Sequence, residues 1–373
     1  MLFQVIVLPC LFAPKIKDKW RFSMIKRVLN FILILIVVVT MSAGCDSDRT
    51  RSSSTNKPGN SLNEDDNKIK VTTTIFPQYD FVREIAGDKV ELSMLLKPGA
   101  ESHSYEPTPQ DIIEIQKSDV FIYVGGESDE WVNEILESMD TSDMKIISLM
   151  DCVETVEEEI VEGMEEEHEE EHEEETGEEH QEDSKKEDEE DHHETEEIEY
   201  DEHVWTSPQN AIRLVEDITN SLCEIDKTNK EIYKQNSKRY IDKLSDLDQD
   251  FQKVVSSGKR KTIVFGDRFP LRYFADAYGL KYYAAFPGCS TETEASAATV
   301  AFLIDKVKEE QIPVVFHIEL SNEKMADTIC EATGAQKGIF QSYHNISKDD
   351  FEKGVTLLDM MEENVESLKE ALN

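Results

Sequence analysis

The sequence predicts an α/β protein of two lobes, each a small, mostly parallel sheet flanked by helices, joined by a long rigid helix. Three observations carry this. From Lys68 onward, short apolar runs rich in β-branched residues alternate with helical patterns, the signature of parallel sheets covered on both faces. The alternation falls into two sets. Between the sets runs one continuous stripe, Tyr240, Leu244, Leu247, Phe251 and Val254, spaced by alternating fours and threes as on one face of a helix.

In chain order, the first set places strands at Lys70–Ile75 (KVTTTI), Val90–Leu96, Val120–Gly125 and Lys145–Leu149, with helices at Tyr79–Ala86 and Thr108–Lys117. It defines an N-terminal lobe over 68–206, interrupted by an acidic insert over about 154–202. Connecting helices follow over 207–258. Pro208 stands where a first-turn proline is tolerated, after Thr206 and Ser207. The second helix runs from about Lys227 to Ser257 and stops at Gly258, read as a C′ glycine. At 1.5 Å per residue it is a rod of about 45 Å, long enough to cross both lobes. The C-terminal lobe, 259–373, carries strands at Thr262–Phe265, Lys281–Ala285, Pro313–His317 and Gly338–Phe340, and a helix at Ser296–Lys308.

The region 1–44 reads as a targeting signal. Lys26 and Arg27 precede an apolar run, Val28–Met41, then Ser42, Ala43 and Gly44, then Cys45. A cysteine directly after small residues resembles a bacterial lipobox, although Ser42 stands where a large aliphatic residue is usual. The alternative is a membrane anchor helix, for which the run is short. Met24 is the expected true start. Residues 45–67, rich in Ser and Asn, form a flexible, lipid-anchored linker, which puts the folded part on the extracytoplasmic face of the cell membrane.

Charge narrows the partners. The 373-residue chain has a formal net charge of −41, and about 30 acids against Lys185 and Lys186 lie between Asp151 and Glu202. No basic footprint for a phosphate backbone is present, which excludes nucleic acid and favours cations. The insert is too polar to fold by itself and is expected to be disordered. It contains His168, His172, His180, His192 and His193. It is either a solubilising spacer or a metal-collecting loop. Cys152, Cys223, Cys289 and Cys330 show no CxxC knuckle. Cys289–Cys330 is the pair to test for a disulfide, and small buried thiols are the alternative.

Four histidines lie outside the insert: His103 in GAESHSYEPTPQD, His203 in DEHVWTSP, His317 ending PVVFH, and His344 in GIFQSYHNIS. His103 follows a strand at its carboxyl end, where ligands bind in open α/β sheets. Neutral imidazoles with one carboxylate make a tetrahedral set for zinc or a similar ion. No HExxH, nucleophile elbow or Gly-rich phosphate loop appears.

The order TTTIFPQYDFVREIAGD, LLKPGAESHSYEPTPQD, an acidic His-rich insert closing on DEHVWTSPQNA, a long helix, AYGL and GVTLLDMMEENVESLKEAL resembles the solute-binding lipoproteins of zinc and manganese ABC importers, the ZnuA/TroA-like group. The resemblance spans nearly all of Lys68–Asn373. It implies one metal between the lobes, His103 as first ligand and His203 as second. The family's third ligand, a His or Glu after the strand that follows the long helix, is missing from VFGDRFPLRYF, where Asp267 is nearest; its alternative is a salt bridge with Arg268 or Arg272. The family's fourth ligand is usually an acid in the stretch after the last strand, where this chain offers His344 instead. His317 and Glu319 are further candidates, each with a structural alternative.

The expected function is therefore that of a non-enzymatic, monomeric receptor. It would capture zinc, with manganese the alternative, and deliver it to a membrane permease and its ATPase. More nitrogen than oxygen donors favours zinc. Competing readings are a surface adhesin or metal scavenger, and a surface metallohydrolase with Glu101 as base.

Overall fold

In the computed structural model, β1 (Ile69–Thr73) pairs in parallel with β2 (Val90–Met94) on one side and β3 (Val120–Tyr123) on the other, and β4 (Lys145–Ser148) adds outside β3. The structure describes residues 68–100, 105–164, 199–290 and 294–373. The signal region, the linker with Cys45, and the five insert histidines lie outside the described residues. The described part belongs to one compact unit, Asn63–Asn373. Among the described residues no helix is long and apolar enough to cross a membrane.

The second sheet repeats the first. Strands β5 (Thr262–Phe265), β7 (Lys281–Tyr283), β9 (Val314–His317) and β10 (Gln336–Ile339) pair in parallel in the order β10-β9-β5-β7. Numbered within each lobe, both sheets run 2-1-3-4. Each therefore has a switch point between its first and third strands, where open α/β sheets hold ligands. Strands β5 and β9 are buried along their whole length and read as unbroken apolar runs, as central parallel strands do. A third, two-stranded parallel ladder joins β6 (Arg268–Phe269) to β8 (Phe286–Pro287). It is too short to leave a periodic signal, and Pro287 argues against a strand by sequence.

Helices cover the sheets. In the first lobe these are α1 (Phe76–Ala86), α2 (Pro109–Gln116) and α3 (Glu130–Glu137). The turn into α1 is fixed by Gln78, whose Oε1 accepts from Thr74 N at 3.0 Å and Ile75 N at 2.9 Å. Thr108 and Asp111 form a reciprocal capping box at the start of α2. The connecting helices are α4 (Pro208–Ile225) and α5 (Lys230–Ser257), which pack on each other. The second lobe adds α6 (Arg272–Tyr278), α7 (Ala297–Glu309), α8 (Lys324–Thr333), α9 (Lys348–Lys353) and α10 (Leu357–Leu372).

The 28-residue α5, about 42 Å long by its rise, is the expected rod, and every residue of the expected stripe is buried. It lies on α1 of the first lobe and on α10 of the second. Asp80 ties the three together: its buried Oδ2 accepts from Leu357 N at 2.9 Å and faces Tyr240 Oη at 3.5 Å, while Arg83 pairs with Oδ1. Burial, only partly offset by Arg83, raises the Asp80 carboxyl to about 6. Gly258 corrects one expectation. It caps α5 at φ −65°, outside the left-handed region, so no C′ geometry demands it. What demands glycine is crowding: a Cβ there would stand 2.9 Å from Leu372 Cβ.

Of the two readings open for Cys289 and Cys330, the structure has the thiols: both are free, as are Cys152 and Cys223. Cys289 follows β8 and donates its amide to Glu158 Oε1 at 3.0 Å. Cys330 rides on α8 beside Asp327 and Lys337. Within the range 154–202 assigned to the insert by sequence, residues 154–164 and 199–202 are described: Glu157 bridges Tyr200 antiparallel, and Met164 is buried in the core.

Candidate metal centre

The segment Asp201–Thr206 closes the insert and enters α4 through a short turn, Val204–Thr206. Each of its residues is buried. It is gripped from both lobes. Glu202 reaches the loop after β3, where its Oε1 accepts from Ser128 N at 2.8 Å. The approach requires Gly126, which holds φ +79° and whose added Cβ would stand 2.4 Å from Glu202 Oε1. From the other lobe, Tyr273 Oη on α6 donates to Asp201 O at 2.7 Å.

This grip presents His203, which is 0% exposed. Asp201 Oδ1 accepts from His203 N at 2.8 Å and lies 3.1 Å from Nδ1. A carboxylate on Nδ1 selects the tautomer that leaves Nε2 as the donor for a metal, the usual arrangement behind a ligating imidazole. Burial pulls the imidazole pKa down, but Asp201, with Glu202 and Glu158, pushes it above its ordinary value. A metal binding here must expel that proton.

His344 meets His203 from the C-terminal lobe, ring centroids 5.2 Å apart at 86°. Trp205 completes the aromatic cluster, 5.5 Å from His203 and 5.0 Å from His344, and its Nε1 donates to Ser342 O at 3.0 Å. The His344 loop is built for this. Tyr343 is bent into the left-handed region at φ +65°. Asn364 on α10 holds the loop from behind, through Gln341 N and Gln341 O, each at 2.8 Å. Asn345 Nδ2 then donates to Lys97 O at 3.0 Å and Ala100 O at 2.7 Å, binding the loop to the last described residues before His103. His103 itself lies outside the described residues.

The remaining candidates stand at the second sheet's switch point. Asp267, just after β5, is buried; its Oδ1 accepts from Arg268 N at 2.8 Å and its Oδ2 from Ile318 N at 3.0 Å and from Ser321 Oγ. Arg272 is not its partner and pairs with Glu159 and Asp276 instead. Glu319, just after β9, accepts from Ser342 N at 2.6 Å, Ser342 Oγ at 2.7 Å and His344 N at 3.0 Å, so it supports the His344 loop. Burial raises its pKa. His317 turns Nδ1 to Ile318 O at 2.9 Å, which serves the same turn.

Asp201 and Trp205 were not singled out in the sequence, although an acid two residues before a histidine in DEHVW is a readable sign of an oriented imidazole. Gly288 is another such residue. A Cβ there would lie 3.1 Å from Phe269 O and 3.2 Å from His203 Cε1, so a larger residue would crowd the ring.

Residues 71–371 match the family model described as zinc-uptake complex component A, periplasmic. The high-affinity zinc uptake system protein ZnuA of Bacillus subtilis (strain 168) is 31% identical over 344 residues, 91% of this chain and 97% of that protein. The zinc-binding lipoprotein AdcA of Streptococcus pneumoniae is 32% identical over 308 residues; the match takes in 82% of this chain but 56% of AdcA. The crystal structure of the Zn(II)-bound ZnuA-like domain of that AdcA superposes with a TM-score of 0.63 at 28% identity, covering 82% of this chain and 99% of the domain.

Proposed function

The chain belongs to the family of zinc-uptake complex component A, a family of binding proteins rather than enzymes, and from that premise we propose that it captures Zn²⁺ outside the cytoplasmic membrane and hands it to a permease driven by an ATPase. The observation that carries this is the meeting of His203, just before α4, with His344, on the loop after β10, edge to face at 5.2 Å. In this proposal His103, His203 and His344 supply nitrogen, and the carboxylate of Asp267 completes a tetrahedral set. Such a set carries one negative charge without the ion and one positive charge with it. No coordination position need be kept for a reacting water, unlike a catalytic zinc site. The dominance of nitrogen donors favours zinc over manganese.

The lobes would act as fixed jaws. Because α5 packs on helices of both, ligands are pre-placed by the fold, which lowers the ordering cost of binding. Release would exploit protonation of His203, whose raised pKa makes the ion compete with a proton. The insert, through His168, His172, His180, His192 and His193, would concentrate zinc beside the cleft, and a lipid on Cys45 would keep a monomeric receptor close to its permease.

The test is equilibrium zinc binding to demetallated protein. At this centre one tight site is expected, lost in His103→Ala together with His203→Ala. Unchanged stoichiometric binding in that double variant would refute the assignment. Asp267→Asn should weaken binding about tenfold or more as a direct ligand would, and Glu319→Gln less, since Glu319 acts through the His344 loop.

A further inference from the structure

One cluster of metal-ligating groups stands outside the ligand set proposed above. Glu158, Glu199 and Cys289 each offer one donor atom, and these atoms lie within 4.8 Å of one another. They come from three separate stretches of chain: the outgoing foot of the insert, its returning foot, and the loop after β8. The backbone holds them in place. Glu157 bridges Tyr200, and Glu158 N donates to Glu199 O at 3.0 Å, so two glutamates stand opposite each other on an antiparallel pair. Like charges in that relation repel. Cys289 N donates to Glu158 Oε1 at 3.0 Å, which pins one carboxylate beside the thiol.

We propose that Glu158, Glu199 and Cys289 form a second site for a divalent cation of the zinc class at the root of the acidic insert. Two carboxylates and a thiolate satisfy such an ion's preference for sulfur and oxygen donors, and ion-to-ligand distances of about 2.0–2.3 Å need donors roughly this far apart. Binding turns the repulsion between the two glutamates into shared attraction, and the thiol proton leaves to solvent as the Cys289–metal bond forms. The position gives the site its use. Cys289 directly follows Gly288, which abuts the His203 ring, and Asp201 N donates to Val156 O at 3.0 Å in the same ladder. Both feet of the insert meet here, on the ladder that leads directly into His203. A role in staging zinc for His203 rests on the capture function proposed above; the site itself does not.

Cobalt(II) separates the two. Bound to reduced, demetallated full-length protein, it gives a thiolate-to-cobalt charge-transfer band in the near ultraviolet only where sulfur ligates. The ligand set proposed at His203 contains no sulfur. The wild type is expected to bind two ions, one of them with the band. Cys289→Ser should lose the band, Glu199→Gln at the exposed foot should weaken its half-saturation about tenfold or more, and His203→Ala should keep the band and lose one ion. Zinc should also protect Cys289 from a maleimide in the wild type and not in Glu199→Gln. A wild type without the band, or a band that survives Cys289→Ser, overturns the proposal. A band with undiminished stoichiometry in His203→Ala would instead sink the capture centre and leave this site standing.

Discussion

Removing Asp201 from behind His203 should weaken zinc binding while leaving all of the proposed metal ligands in place. The carboxylate does two things: it accepts from Nδ1 at 3.1 Å, which fixes tautomer and ring plane, and its charge raises the basicity of the imidazole. Loss of such an outer partner costs about 10–100-fold in metal affinity, or about 1.4–2.7 kcal/mol. Asp201→Asn can still accept from Nδ1 and loses only the charge, so about tenfold is expected. Asp201→Ala loses both and should approach a hundredfold. The assay is competition for zinc against a chelator at pH 8 and pH 6. In the wild type His203 retains a proton more readily, so its apparent affinity falls further between those two conditions. The gap to Asp201→Asn should therefore narrow at pH 6. If Asp201→Ala binds zinc as tightly as wild type at pH 8, His203 is not a metal ligand oriented by Asp201, and a centre built around that imidazole is wrong.

Three other outcomes are expected. Leu244→Ala, at a position with 0% exposure on the rod, should cost about 2–5 kcal/mol in urea unfolding, with both lobes lost in one transition because they share α5. Asp80→Asn should flatten the pH dependence of stability: with the carboxyl at about 6 in the fold and an ordinary 3.8 unfolded, the folded state holds the extra proton between those values, so wild-type stability falls as pH rises through that window. The difference between wild type and variant from pH 4 to pH 7 should be about 2–3 kcal/mol, and equal slopes would contradict the buried acid. Deleting residues 166–197, which leaves both feet of the insert, should lower uptake at limiting zinc alone and leave the tight site's stoichiometry intact; unchanged uptake at every zinc level leaves only a spacer.

The sequence carried the strands because central parallel strands bury both faces and show as continuous apolar runs, as TIVF and VVFH do. It carried the rod because a stripe from Tyr240 to Val254 has one period. The pairing of His203 with His344 came from position within recognisable blocks, since nothing local links two loops on either side of the connecting helices. Other features were hidden for physical reasons. Gly258 looked like a left-handed cap, but its role is set by Leu372, a contact across more than a hundred residues that no local pattern encodes. For Cys289 the sequence left disulfide and free thiol both open, because spacing cannot distinguish a partner thiol from neighbouring carboxylates. Asp267 and Glu319 were legible as acids after strands, yet the amides and hydroxyls they accept from belong to loops that only the fold assembles.

The bonds that close the first lobe have a consequence for how the molecule is made. Leu357 N rests on Asp80, Arg83 donates to Val355 O, and Gly99 N donates to Ile346 O. Each joins an early residue to one near the carboxyl terminus, so the first half cannot lock before the final stretch has been synthesised. Contacts of such long sequence separation form late. Until that stretch is made, the nascent first lobe lacks these three bonds.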